Sequence, residues 1–483
     1  MKIEQIYTGC LAQGAYYIES EGEAVIIDPL RETQPYLERL AESGAQLKYI
    51  FETHFHADFV SGHLDLAQKT GATIVYGPNA STDYDIHQAT DGEVLQVGKL
   101  AFKVLHTPGH TMESTTYLLQ NEQGEDYAIF TGDTLFLGDV GRPDLAIKQG
   151  SITKEDLAGM LYDSLREKIM PLADHVIVYP AHGAGSACGK NLSTDTWGYL
   201  GDQKKSNYAL RANMTKAEFI TEVTAGLTPP PQYFAKNAML NKTGYGSFDQ
   251  VLQRGSVALD ADTFEQLVES EEALMLDTRH QDEFAKAHIP NSIFIGIDGS
   301  FAPWVGALIK DLAQPIVLIT PEGRAEEVVT RLARVGYDNT LGYLEGGIET
   351  WKAAGKEVDQ VGSILAEDLA KKLANDSTLE IVDVRKPTEF LAQHVVGATN
   401  LPLDYLNKNM DRLDRQQTYY LHCLGGYRSM IAASILQARG FRNLVDIKLG
   451  WRAIEASAIP KTDYACPTGM TQEAIDAAVA AVI

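Results

Sequence analysis

The sequence predicts an α/β chain of several domains, and three observations carry this. Its 483 residues exceed what one hydrophobic core organises, about 250–300 residues. Short apolar runs of β type alternate with segments of helical spacing. From about residue 255 the sequence repeats itself.

Within residues 1 to about 200, Tyr16–Ile18, Ala24–Ile27, Lys48–Phe51, Thr73–Tyr76, Ala101–Leu105, Ala128–Phe130 and Val176–Tyr179 read as strands. Segments 34–43, 60–70 and 154–169 have helical spacing. The polar residues Asp28, His54, His110, Asp133 and His182 each lie just after a strand. Functional groups collect on such loops, held by a rigid scaffold. Thr228-Pro229-Pro230-Pro231 breaks regular structure, and Asn241–Gly246 reads as a loop near a domain boundary.

The repeat begins with Asp277-Thr278-Arg279, Glu283-Phe284 and His288. It returns 106 residues later as Asp383-Val384-Arg385, Glu389-Phe390 and His394. Ile316–Ile319 answers Tyr419–His422, and Gly346–Trp351 answers Leu449–Trp451. Each copy alternates strands with helices, which predicts a parallel-sheet α/β domain. The expected division is 1–254, 255–358, 359–463 and a terminal helix over 464–483.

The net charge of −24 repels nucleic acid and anionic membranes, so neither is an expected partner. An anionic substrate must then be drawn in by a metal ion or oriented N–H groups. No apolar run reaches the roughly 18 residues of a membrane span. Met1–Gln5 lacks the basic and apolar pattern of a secretory signal. Four cysteines, Cys10, Cys188, Cys423 and Cys466, stand far apart. That favours a reducing cytoplasm over a disulfide framework. The oligomeric state is left open, a homo-oligomer included.

Four elements point to a metal: Thr53-His54-Phe55-His56-Ala57-Asp58, Thr107-Pro108-Gly109-His110-Thr111, Thr131-Gly132-Asp133-Thr134 and Pro180-Ala181-His182-Gly183. Imidazole and carboxylate suit first-row divalent ions. One such residue alone is usually structural, but four in this order are far more specific. The order resembles the metallo-β-lactamase superfamily, which implies an αββα sandwich with a metal at the sheet edges. Phe59 stands where dinuclear members carry a second-site histidine, and a phenyl ring cannot ligate.

His-Ala-Asp after the first histidine, Thr-Pro-Gly-His-Thr, and Gly141-Arg142-Pro143-Asp144 resemble the persulfide dioxygenase branch. That resemblance implies one Fe(II) per chain on His54, His110 and Asp133. His56, Asp58 and His182 would then support those ligands or hold a second metal. Arg142 is either a structural salt bridge or a substrate contact. Cys188 is a buried apolar filler or a substrate contact.

In the second copy, strand-like Tyr419–His422 runs into Cys423-Leu424-Gly425-Gly426-Tyr427-Arg428, and a helix follows. Backbone N–H groups at the helix start stabilise a thiolate. The glycines let the backbone curl round sulfur, and Arg428 adds positive charge. This CxxxxR loop resembles the rhodanese active-site loop. The first copy has Ile319-Thr320-Pro321-Glu322-Gly323-Arg324, with no cysteine and a loop one residue shorter. It cannot carry a persulfide.

The resemblances together imply oxidation of a low-molecular-weight thiol persulfide by O2 to sulfite, with Cys423 passing sulfane sulfur among persulfide, sulfite and thiosulfate. Glutathione, coenzyme A and bacillithiol remain open as the thiol. Two rivals stand beside this reading. One is a zinc-dependent glyoxalase II-type thioester hydrolase fused to a sulfurtransferase. The other is a sulfur carrier with a vestigial metal domain.

Overall fold

A computed structural model describes residues 1–147, 151–227 and 230–465, together with 477 and 480. The chain forms two compact units: Met1–Gln250 with Thr330–Asp338, and Val251–Val329 with Asn339–Ile483.

The first unit holds two six-stranded sheets. One runs Lys2–Thr8, Gln13–Ser20, Glu23–Ile27, Gln46–Phe51, Thr73–Tyr76, His87–Gln88 in spatial order. The other runs Gly198–Tyr199, Ile177–Pro180, Asp126–Gly132, Thr115–Gln120, Leu100–His106, Val94–Val97. Side chains alternate across each strand. Tyr16, Ile18, Val25, Ile27 and Phe51 therefore meet Phe102, Val104, Tyr117 and Phe130 between the sheets. The alternate set Ala15, Tyr17, Ala24 and Ile26 packs outward on Tyr36, Leu40 and Leu66. On the opposite outer face, Leu118, Ile129 and Val178 meet Leu157's neighbours Ala158 and Leu161, with Phe219. The result is the expected αββα sandwich. Its inner strands, such as Glu23–Ile27 and Asp126–Gly132, read as near-continuous apolar runs because both faces are buried.

The helix expected over 34–43 spans Gln34–Ser43. The one expected over 60–70 spans His63–Thr70, because the turn before it serves the site described below. The third spans Lys154–Ser164 behind a Thr153–Asp156 capping box, then widens into a π-helical turn over Leu165–Ile169. Asn241–Thr243, read as loop, closes the helix Phe234–Thr243, and the loop starts at Gly244. Burial of Asn241 among backbone partners outweighs its weak helix propensity.

The second unit holds two five-stranded sheets of the same spatial order. They run Ala258–Leu259, Thr340–Leu344, Ile316–Ile319, Leu274–Asp277, Ile293–Phe294, and Gly362–Ile364, Leu444–Ile447, Tyr419–His422, Glu380–Asp383, Thr399–Asn400. Every pairing is parallel. The repeated residues hold this fold together. Arg279 forks onto Asp277 at 2.6–3.1 Å and caps Ala287 O at 2.8 Å. Arg385 does the same with Asp383 and Gln393 O. His288 stacks on Phe284 with ring centroids 3.9 Å apart, and His394 on Phe390 at 3.7 Å.

Among the described residues no helix is long and apolar enough to cross a membrane. The expected helix over 464–483, Cys466 and part of the Thr228–Pro231 break lie mostly outside the described residues.

Candidate metal centre and cysteine loop

The loops after Gln46–Phe51, Leu100–His106 and Asp126–Gly132 bring His54, His110 and Asp133 together. One ligand atom of each lies within 4.8 Å of the others, and all three residues are buried. Hydrogen bonds behind the rings decide which nitrogens face inward. Thr53 Oγ1 donates to Asp28 at 2.8 Å, so it accepts from His54 Nδ1 at 3.0 Å. His110 Nδ1 lies 2.9 Å from Arg142 O, a carbonyl that can only accept. Both Nε2 lone pairs are thus left for a metal. They lie 3.9 and 3.4 Å from Asp133 Oδ2, a buried oxygen with no hydrogen-bond partner among the described residues. Burial, with His56 close by, holds His54 well below the usual imidazole range, which keeps it neutral. Burial works against the charge of Asp133, but His182, His110 and His54 outweigh it and hold the carboxyl low. Two imidazoles with free Nε2 lone pairs and a carboxylate converging on one point fit a divalent metal.

Gly141 makes this convergence sterically feasible. A Cβ there would stand 1.9 Å from Asp133 O and 2.9 Å from His110 Nδ1.

Around this trio the remaining expected residues separate. His182 bridges two carboxylates, Nδ1 to Asp133 Oδ1 and Nε2 to Asp58 Oδ2, each at 2.8 Å. Burial opposes its charge, yet Asp133 and Asp58 prevail and hold it well above the usual range. Cys188 is buried, within 4.8 Å of ligand atoms of Asp58 and His182. Burial and the same carboxylates push its thiol well up, so it stays protonated. His56 turns elsewhere: its Nε2 lies 3.1 Å from Asp28 and 3.6 Å from Glu52, with the Phe59 ring centroid 4.3 Å away. Arg142 forks onto Asp144 at 2.7 and 2.8 Å and reaches Ala187 O at 3.2 Å, the salt-bridge alternative.

In the second unit, Cys423 follows the strand Tyr419–His422 and is 1% exposed. Gly426, in the left-handed region at φ 99°, opens the helix Tyr427–Ala438 and donates its N–H to Cys423 Sγ at 3.1 Å. Arg428 is held in a bidentate pair with Glu389 at 2.7 and 2.9 Å. Its charge is therefore shared with a carboxylate before any substrate arrives. Tyr427 donates its hydroxyl to Gly296 O in the first copy at 2.6 Å. Leu424 is exposed at the loop's rim.

Residues 8–182 match the metallo-beta-lactamase superfamily, and 260–354 and 365–457 match the rhodanese-like domain. A metallo-beta-lactamase of Staphylococcus aureus subsp. aureus COL superposes with a TM-score of 0.63 at 30% identity, covering 71% of this chain and 98% of that one. The chain belongs to the metallo-β-lactamase superfamily. Two rhodanese-like domains follow in the same chain. The human mitochondrial persulfide dioxygenase ETHE1 is 33% identical over 162 residues, 33% of this chain and 59% of that relative's length. The hydroxyacylglutathione hydrolase GloC of Haemophilus influenzae is 29% identical over 213 residues, 39% of this chain and 94% of that relative. The chain thus spans just over half the length of the persulfide dioxygenase it matches.

One supporting residue of this superfamily site escaped the sequence reading. Asn241 donates to His56 O and Phe59 O, each at 2.8 Å, and accepts Ser61 N–H at 2.9 Å. It clamps the loop that follows His54 from 180 residues away in sequence. No local pattern marks it. Glu52, buried beside Asp28, likewise carries no local signal; burial and Asp28 hold its carboxyl well above the usual range.

Proposed function

We propose that the chain oxidises a low-molecular-weight thiol persulfide to sulfite at one Fe(II), held by His54, His110 and Asp133. Cys423 passes sulfane sulfur onward. The observation that carries this is the trio itself, two Nε2 lone pairs and one unpartnered carboxylate oxygen, with His56 turned away to Asp28. Iron held by two imidazoles and one carboxylate would keep positions for a persulfide sulfur and O2 together. A hydrolytic zinc site needs one. The balance is R–S–SH + O2 + H2O → R–SH + SO3²⁻ + 2 H⁺.

Iron, when bound by these residues, would supply a meeting point for sulfur and oxygen, the outer persulfide sulfur giving up the four electrons that O2 takes. The chain's residues do the rest. Thr53 and Arg142 O fix the ring tautomers. His182 holds Asp133 by its second oxygen. Burial of all three ligands excludes bulk water.

The similarity to a persulfide dioxygenase and the rhodanese-like domains supports sulfur substrates. In this reading 1–254 oxidises, 359–463 transfers sulfur and 255–358 is silent. A second reading, thioester hydrolysis with two metals, draws on the Asp58–His182–Cys188 cluster and on the similarity to a hydroxyacylglutathione hydrolase. An oxygen electrode with a preformed glutathione persulfide tests the first reading. One O2 consumed per sulfite formed is expected. Hydrolysis of S-lactoylglutathione without O2 uptake would replace it with the second.

A further inference from the structure

Two side chains behind Cys423 have no part in that account. Ser429, in the first turn of helix Tyr427–Ala438, places Oγ 3.7 Å from Cys423 Sγ and 2.6 Å from Asp446 Oδ1. Its third neighbour is Gly426 O at 3.2 Å. Asp446 lies on Leu444–Ile447, the strand paired with that of Cys423, where Leu421 stands opposite it. Cys423, Ser429 and Asp446 are 1%, 0% and 5% exposed. A buried carboxylate next to a buried thiolate would be costly, because neither charge reaches water.

The silent copy supplies a comparison. Strand register makes Thr320 the counterpart of Cys423 and Tyr343 the counterpart of Asp446. After the loop arginines, Arg324 and Arg428, come Ala325 and Ser429. The copy without the nucleophile thus lacks the hydroxyl and the carboxylate as well. It keeps the sheet, the Asp277–Arg279 fork and the arginine. The fold does not require Ser429 or Asp446.

We propose that Ser429 and Asp446 form a hydrogen-bond chain that takes the Cys423 thiol proton and holds it at Asp446 while the sulfur is a thiolate. This rests on reading Cys423 as the sulfur carrier. The S–H bond breaks as its proton passes to Ser429 Oγ, and the hydroxyl proton of Ser429 passes to Asp446 Oδ1. The products are a thiolate, a Ser429 hydroxyl turned to donate to it, and a neutral Asp446 donating to Ser429. Net charge in the pocket is unchanged. The thiolate then attacks the sulfane sulfur: Cys–S⁻ + R–S–SH → Cys–S–SH + R–S⁻.

The electrostatics agree. Burial, with Asp282 adding and Ser429 and Lys448 opposing, pushes the Asp446 carboxyl up to about 7, so the acid form is accessible at neutral pH. Asp282 reaches it from helix Gln281–Lys286 and Lys448 from the end of its own strand. Arg428, paired with Glu389, faces Cys423, and the Arg452 guanidinium lies against Gly425 of the same loop. Ser429 and Asp446 are positioning residues, and Asp446 acts through Ser429.

The test is the pH profile of iodoacetamide alkylation of Cys423 in the full chain, read by peptide mass spectrometry that separates it from the other cysteines. Ser429→Ala removes the donor to sulfur. It should move the midpoint up by about one pH unit, or roughly tenfold in rate at neutral pH, and Ser429→Thr should restore it. Asp446→Asn removes the carboxylate charge and offers an NH2 that can donate toward Ser429, so it should move the midpoint down. That downward shift should vanish in the Ser429→Ala, Asp446→Asn double variant. Equal Asp446→Asn shifts with and without Ser429 would reveal a bare charge effect and overturn the chain, as would an unmoved midpoint in Ser429→Ala. Alanine at the matching place in the silent copy shows that the fold accepts it. Alkylation needs no sulfur substrate. Failure of the sulfur-carrier reading would instead appear as sulfurtransferase activity surviving Cys423→Ser.

Discussion

Asp133 divides its carboxylate between two tasks: Oδ1 bonds His182 Nδ1 at 2.8 Å, and Oδ2 is left unpartnered beside the Nε2 atoms of His110 and His54. The first contact fixes the orientation of the second. Removing the His182 imidazole frees Asp133 to rotate and leaves Asp58 facing an empty space. His182→Ala should therefore weaken iron binding about 10–100-fold, as loss of such a supporting group does. Iron titration of the metal-free variant against the parent measures it. Unchanged affinity would assign His182 to substrate instead.

Asn241 ties the loop after His54 by three buried hydrogen bonds. Asn241→Ala strands two carbonyls and one N–H at about 1–3 kcal/mol each in desolvation. The variant should unfold at lower denaturant concentration and lose iron faster to a chelator. Asn241→Asp keeps the acceptor for Ser61 but not the two donors, so it should fall well short of the parent.

The Asp446 carboxyl makes stability depend on pH with a definite sign. Its proton is held to about 7 in the folded state, against near 3.8 when unfolded. Between those values the unfolded chain releases a proton that the folded chain retains, so stability falls as pH rises. Below about 4 both states are protonated and the effect is absent. Asp446→Asn removes it. The variant's melting temperature should match the parent's closest near pH 4, gain on it up to pH 7, and hold the gain above. A constant gap across pH would contradict this.

Cys423→Ser should abolish sulfur transfer from thiosulfate while O2 uptake with a preformed persulfide continues, because each site has its own complete set of reacting groups. Parallel assays of both activities in the variant check this. Equal loss of both with normal folding and iron content would require one shared obligatory intermediate.

Much of this was legible in the sequence because the information is local. His54, His110, Asp133 and His182 each follow a strand, and the Cys423 loop is contiguous, so strand and turn patterns pick out both candidate sites. The tandem copies were legible from Asp277-Thr278-Arg279 and Asp383-Val384-Arg385, which turn out to be structural forks. What escaped was long-range. Asn241 gives no signal near residue 59, and Asp446 meets Ser429 only through strand pairing. The edge strand Lys2–Thr8 was missed for want of apolar alternation. His56 sits in a ligand-like motif, but the neighbours that turn it, Asp28 and Glu52, are fixed by the sheet.

The central claim is a mononuclear centre, although Asp58, His182 and Cys188 lie close enough to hold a second ion. Elemental analysis of the full chain, purified with both iron and zinc supplied, tests this most directly. The account predicts one iron per chain, lost in Asp133→Ala and retained in Cys188→Ser. Two zinc ions per chain, with one lost in Cys188→Ser, would contradict it.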